Sequence, residues 1–282
     1  MKEYCLKYGV NIRWYIMTSI ENNAETIEFF RKNNYFQYGE ENIKFFIQTE
    51  LPMLSENGKI LLETKSKIRK AADGHGGIFK TMLNSGVIKD MQEKNIKWVY
   101  IGAVDNILSK MVDSLLVGLT IDKKVLAGGK SLIKSCPEEK VGVFCKRNGK
   151  PSVVEYTEIS KEMSEERNEK GELKFSESHV LCNIFSIESI IQMGVANFKY
   201  HVAHKKSNYI DENGILIKPE KPNAYKFENF LFDSFERLEN IVILRVKRED
   251  EFAPIKNAEG VDSPETASKL YIDFKNKKQK QD

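Results

Sequence analysis

The run Lys97-Trp-Val-Tyr-Ile-Gly-Ala-Val104 constrains this chain more than any other stretch, because it is apolar at odd and even positions alike. A strand with one wet face alternates with period two. A strand that is apolar throughout is covered on both sides, as in parallel sheets flanked by helices. The run therefore predicts a central parallel strand of an α/β domain. Asp105 follows directly. Ligands of open α/β sheets bind beyond the C-terminal ends of the strands, so Asp105 falls where chemistry is expected.

The flanking sequence agrees with that class. Residues 11–19 are rich in β-branched and aromatic side chains and read as a buried strand. A helical spacing of Ile27, Phe29 and Phe30 follows over residues 22–32, then a second strand over 44–48. Strand, helix and strand with a crossover of this length make a βαβ unit. Asn148-Gly149 lies between two strand-like runs, 141–146 and 152–156, and predicts a hairpin. The charged stretch 158–170 reads as a solvated helix ending at Gly171, and 227–238 as an amphipathic helix. Further strands are expected over 180–187, 200–205 and 241–246. One domain over residues 1–274 is predicted, with the hairpin as a flap and 275–282 as a polar, disordered tail.

Composition excludes several classes. A chain of 282 residues buries a sizeable core without staples. Its net charge of +3 points to neither a nucleic acid nor a membrane as partner. Cys5, Cys136, Cys145 and Cys182 form no C-x-x-C pair, which predicts reduced thiols in a cytoplasmic protein. Residues 1–9 hold no apolar core of a signal peptide, and no run approaches the ~20 apolar residues of a membrane span.

Several motifs bear on chemistry. Ala72-Asp-Gly-His-Gly-Gly77 is a tight loop entering a helix, either a plain turn or a place where backbone N–H groups meet a ligand. It lacks the Gly-Lys-Ser/Thr ending of a Walker loop. Asp105 suits a divalent metal, a ribose hydroxyl or a helix cap. Glu155 closes Val153-Val-Glu-Tyr156, where a carboxylate accepts two sugar hydroxyls or forms a surface ion pair. Lys218, Lys221, Lys226 and Lys256 stand near rigid turns and are phosphate candidates or merely solvated. His201 and His204 would point to opposite faces of a strand, so no zinc site is expected.

Taken in order, Trp14-Tyr-Ile-Met-Thr-Ser19, Phe45-Phe-Ile-Gln48, Asp73-Gly74, Gly76-Gly77, Val104-Asp-Asn-Ile-Leu108, Val153-Val-Glu-Tyr156, Lys221-Pro-Asn223 and Arg248-Glu-Asp-Glu-Phe252 resemble the eukaryotic-type UDP-N-acetylglucosamine pyrophosphorylase family over nearly the whole chain. The resemblance implies the nucleotide-diphospho-sugar transferase fold, a Rossmann-like mixed sheet. It implies that UTP and a sugar 1-phosphate give a UDP-sugar and pyrophosphate with Mg²⁺, which would make residues 1–274 part of a uridylyltransferase core. Gln48 and Gly74 match nucleotide contacts. Asp105 matches the nucleotide and metal carboxylate. Glu155 and Tyr156 match the sugar-binding pair, and Phe230 and Phe232 the aromatics of the sugar side. Lys226 and Lys256 match the lysines that meet the phosphates.

Three features depart from the pattern. The family opens with a strand and a Gly-Gly-x-Gly-Thr-Arg loop that occurs nowhere in this sequence. The expectation is a core lacking that strand and loop, with a non-catalytic UDP-sugar binder, or a subunit needing a separate N-terminal segment, as the alternative. His75 stands where the N-acetylglucosamine enzymes carry Asn, as in UDP-glucose and UDP-sugar pyrophosphorylases, so the sugar is left open. Around residues 179–185, either Asn183 or His179 takes the sugar-contacting place. The chain also stops where the family continues into a small further domain.

Overall fold

The structure is a computed structural model describing residues 1–279. It is mixed α/β, and the chain divides into two compact units. One holds Lys2–Asn95 and Ile190–Ser234; the other holds Ile96–Ser189 and the chain from Phe235 onward.

In the first unit, Trp14–Thr18 and Ile43–Ile47 pair in parallel and are joined by the helix Asn23–Lys32, the βαβ order expected. Aromatic packing ties the three together, with the Phe30 ring 5.3 Å from Trp14 and 5.1 Å from Phe45. After the helix, Asn34, Tyr35, Phe36 and Gln37 all have positive φ, between 46° and 56°. Each such residue costs roughly 1–2 kcal/mol. Phe36 packs 5.1 Å from Phe30 and Tyr35 donates to Glu40, contacts that offset part of the strain. A small antiparallel sheet orders His201–Lys205, Ala224–Glu228 and Leu54–Ser55 over buried Met53, Leu61 and Ala224.

The second unit is built on a six-stranded sheet. Lys150–Val154, Val143–Arg147, Glu177–Ser186, Ala127–Ile133 and Val242–Arg245 lie in that order, and Trp98–Gly102 pairs with the Cys182–Ser186 end of the third. The hairpin forms as predicted, with Asn148 (φ 51°) and Gly149 (φ 80°) at its turn. Phe235 stacks on Phe185 at 5.9 Å and on Phe144 at 6.0 Å, closing the core over the sheet.

Four expectations are corrected. Trp98–Gly102 is not a central parallel strand: its one neighbour among the described residues runs antiparallel, and Trp98, Val99 and Tyr100 are half-buried. An apolar run reports apolar contacts and is silent on the neighbour's direction. The charged 158–170 stretch is helical only over Lys161–Glu165, because Glu166 turns extended and Arg167 pairs with Leu173 instead. The 227–238 helix is absent. Phe227 and Glu228 are taken into the strand opposite Val202 and His201, and a 3₁₀ turn runs over Leu231–Arg237. Residues 275–279, read as disordered tail, belong to the helix Pro264–Gln279, where Lys277 pairs with Asp250 at 2.7 Å. Residues 280–282 lie outside the described part.

The sequence reading missed Ala127–Ile133, the most buried strand of the sheet. Its Gly128-Gly129 pair imitates a turn signal. The glycines serve packing instead: a Cβ at Gly128 would lie 2.9 Å from Thr120 Oγ1, and one at Gly129 2.9 Å from Asn183 Oδ1.

Candidate functional site

Candidate residues divide between the two units. In the first, Gln48 follows Ile43–Ile47 and donates to the Gly74 carbonyl at 2.8 Å and to Asp73 at 3.2 Å. Among the described residues no donor reaches its side-chain oxygen, which is left as an acceptor. Asp73 is buried, also accepts from the Thr49 hydroxyl, and holds the loop shut. Gly74 (φ 82°) presses on the Asn229 backbone so closely that a Cβ would also sit 2.9 Å from Glu228 Cβ. Two of the loop's amides are already occupied, since Gly76 donates to Asn229 and Gly77 to Gly74.

His75 stacks 5.4 Å from Phe230 and lies 5.8 Å from Phe232. Burial lowers its pKa to about 4, and His201 adds to the drop, while Glu228 opposes it. The ring is neutral at pH 7, accepts from Leu231 N–H through Nδ1 at 3.0 Å, and so carries its proton on Nε2. Lys226 lies on the Ala224–Glu228 strand with its ammonium 2.7 Å from Glu228. The two histidines of the neighbouring strand part as expected: His201 pairs with Asp233 at 3.1 Å and His204 with Glu56 at 3.0 Å.

In the other unit, the backbone segment that carries Asp105 is joined to the one that leads into Lys256. Ile255 N–H donates to the Asp105 carbonyl at 2.7 Å, and Asn106 bridges to Pro254. The Asn106 side chain completes the seam, accepting from Ala253 N–H at 2.9 Å and donating to the Glu251 carbonyl at 2.8 Å. Among the described residues no side chain pairs with the Asp105 carboxylate or the Lys256 ammonium. Asp105 is half-buried and Lys256 exposed.

Glu251 in turn is anchored by Lys130, a fully buried lysine that also meets Asp113 at 2.7 Å. Burial alone would raise the Asp113 pKa, but its bond to Lys130 and the lysine charge outweigh that and hold it below the ordinary value. Asp113 also caps the helix Ser114–Asp122 through Leu115 N–H at 3.0 Å. Lys130, Asp73 and Glu228 had no role in the sequence reading. A lysine inside a Gly-Gly-Lys-Ser run reads as surface until the strand is recognised.

Glu155 follows the last residue of the hairpin's second strand, half-buried beside Gly142, and Tyr156 next to it is exposed. Gly142 O accepts from His179 N–H at 2.8 Å, and His179 Nε2 meets Asn183 Oδ1 at 3.1 Å. Asn183 itself is fully buried with no partner for its Nδ2.

No group of three or more His, Cys, Asp or Glu able to hold a metal occurs among the described residues. The unpaired Asp105 carboxylate is a donor set that fits Mg²⁺, which binds through one or two carboxylates and completes its shell with water and phosphate oxygens. No helix of the described residues is long and apolar enough to cross a membrane.

The architecture is that of a mixed α/β protein with candidate polar residues in both units. The sequence matches the family model described as UTP--glucose-1-phosphate uridylyltransferase over residues 1–275, and the chain belongs to that family. It is 40% identical over 267 residues to the Homo sapiens UDP-N-acetylhexosamine pyrophosphorylase-like protein 1, covering 93% of this chain and 52% of that one. It is 35% identical over 272 residues to the Saccharomyces cerevisiae UDP-N-acetylglucosamine pyrophosphorylase, covering 93% and 57%. The chain thus spans a little over half the length of these curated relatives. A crystal structure from Entamoeba histolytica, of a candidate UDP-N-acetylglucosamine pyrophosphorylase, superposes with a TM-score of 0.86 at 35% identity, covering 96% of this chain and 68% of that one.

Proposed function

We propose that this chain carries the core of a uridylyltransferase, on a Rossmann-like mixed sheet. It would make a UDP-sugar and pyrophosphate from UTP and a hexose or N-acetylhexosamine 1-phosphate in the cytoplasm. The observation that most supports this is the backbone seam that joins the segment carrying Asp105 to the segment carrying Lys256, two charged residues whose side chains have no partner among the described residues. Four free thiols agree with a reducing compartment.

In this reading a phosphate oxygen of the sugar 1-phosphate forms a bond to the α-phosphorus of UTP, and the α–β bridging bond breaks to release pyrophosphate. The residues position the reactants and neutralise charge, with no covalent intermediate. Lys256 holds the incoming sugar phosphate and Lys226 offsets charge at the α-phosphate. Gln48 takes the uracil N–H through its free oxygen, with Gly74 giving the ring close approach. Glu155 and Tyr156 bond sugar hydroxyls, His75 donates from Nε2, and Phe230 and Phe232 form the apolar wall. Asn183 acts from behind by orienting His179. Asp105 and the phosphates would hold Mg²⁺, which supplies further neutralisation of phosphate charge.

The test is pyrophosphate release with UTP, Mg²⁺ and a panel of sugar 1-phosphates. Turnover with one of them is expected, and Lys226→Ala or Lys256→Ala should each lower the rate by about 10²–10³. Unchanged rates would remove those roles. UDP-sugar binding without turnover is the result expected if the nucleotide grip must come from a further polypeptide segment.

A further inference from the structure

Lys226 has a carboxylate partner on its own strand. Its ammonium lies 2.7 Å from Glu228 Oε1, and the two side chains are 24% and 23% exposed. They stand two residues apart on one strand and so share a face of the sheet. That face looks onto the loop at Gly74 and His75. Gly74 packs against Glu228 Cβ, and the Glu228 charge bears on the His75 ring. Glu228 is thus a carboxylate inside the cluster that the phosphate reading assigns to Lys226, and a carboxylate repels a phosphate.

We propose that Glu228 is the resting counter-ion of Lys226, exchanged for a phosphate oxygen when a phosphorylated ligand binds. This rests on the uridylyltransferase reading, in which Lys226 meets phosphate. The exchange gives Glu228 a defined effect on selectivity. It keeps the lysine from being a permanently open anion trap and sets affinity for phosphate-bearing ligands, while leaving recognition of the nucleoside untouched. A part-exposed ion pair is weak enough to be exchanged in this way.

The test is calorimetric binding of uridine, UDP and UDP-N-acetylglucosamine to the full chain and to Glu228→Gln, which keeps shape and removes charge. The variant is expected to bind UDP and UDP-N-acetylglucosamine about threefold more tightly and uridine unchanged. In a Lys226→Met background, adding Glu228→Gln should tighten UDP binding less than it does in the wild type, because only direct repulsion is then relieved, a coupling that a merely structural role would not produce. Unchanged or weaker UDP binding by Glu228→Gln, equal tightening of uridine, or an effect that survives undiminished in Lys226→Met would each overturn the proposal alone. Failure of the wild-type chain to bind any of the three ligands would overturn the functional reading, and this inference with it.

Discussion

His75 shows how a single buried side chain makes stability depend on pH. Its folded pKa of about 4 lies below the ordinary value of 6.5, because burial penalises the charged ring. Between those values the unfolded chain binds a proton that the folded chain refuses, so stability is full above pH 6.5 and falls as pH drops toward 4. The loss at the lower end is about 3 kcal/mol. Melting temperatures at pH 7 and pH 5 should differ less in His75→Gln than in the wild type; equal slopes would mean that another group carries the effect. Lys130 makes the same point for charge. It is fully buried between two carboxylates, so Lys130→Met would take the lysine from Glu251 and leave buried Asp113 with only Lys110 and the Leu115 N–H. Denaturant unfolding should report a loss of about 3–5 kcal/mol.

At the scale of elements, the Asp105–Lys256 seam depends on the helix Pro264–Gln279. Ala267 of that helix is fully buried with Leu108 and Ala253, and Ile255 and Phe274 pack against them. Ala267→Asp would force a carboxylate into this contact. Amide exchange at Ile107 and Ile255 is expected to accelerate at least about tenfold, well ahead of the Ala127–Ile133 strand. Uniform acceleration would show global unfolding instead. The same elements show what a sequence discloses. Parallel pairing of the first two strands was legible because hydrophobic runs flank a helix of crossover length. The hairpin was legible because Asn-Gly suits positive φ at both turn positions. The Ala127–Ile133 strand was hidden, since its glycines answer to the closeness of Thr120 and Asn183, residues adjacent only after folding. The 227–238 stretch was misread because apolar residues spaced by three and four fit a helix until Asn229 N–H is claimed by Asp73. Individual candidate residues were named through family resemblance. Their partnerships, Lys226 with Glu228 and Asp105 with the Ile255 backbone, needed coordinates.

At the scale of the molecule, neither unit is continuous in sequence. The first needs residues 190–234 as well as 2–95, because the Ala224–Glu228 strand pairs with Leu54–Ser55 and the Asn229 backbone binds the Gly76 loop. A fragment of residues 1–95 is therefore expected to melt without a cooperative transition by circular dichroism. A sharp transition would show that the later strand is dispensable. The arrangement also matters while the chain is being made. Synthesis proceeds at about 5–20 residues per second, so the early segment emerges on the order of ten seconds before the strand that completes its sheet. During that interval the Met53 and Leu61 side chains lack Ala224, the third buried member of their cluster. The nascent chain thus presents a lengthy window for chaperone capture, and synonymous codon choice between positions 95 and 224 becomes a determinant of how much folded protein a cell obtains.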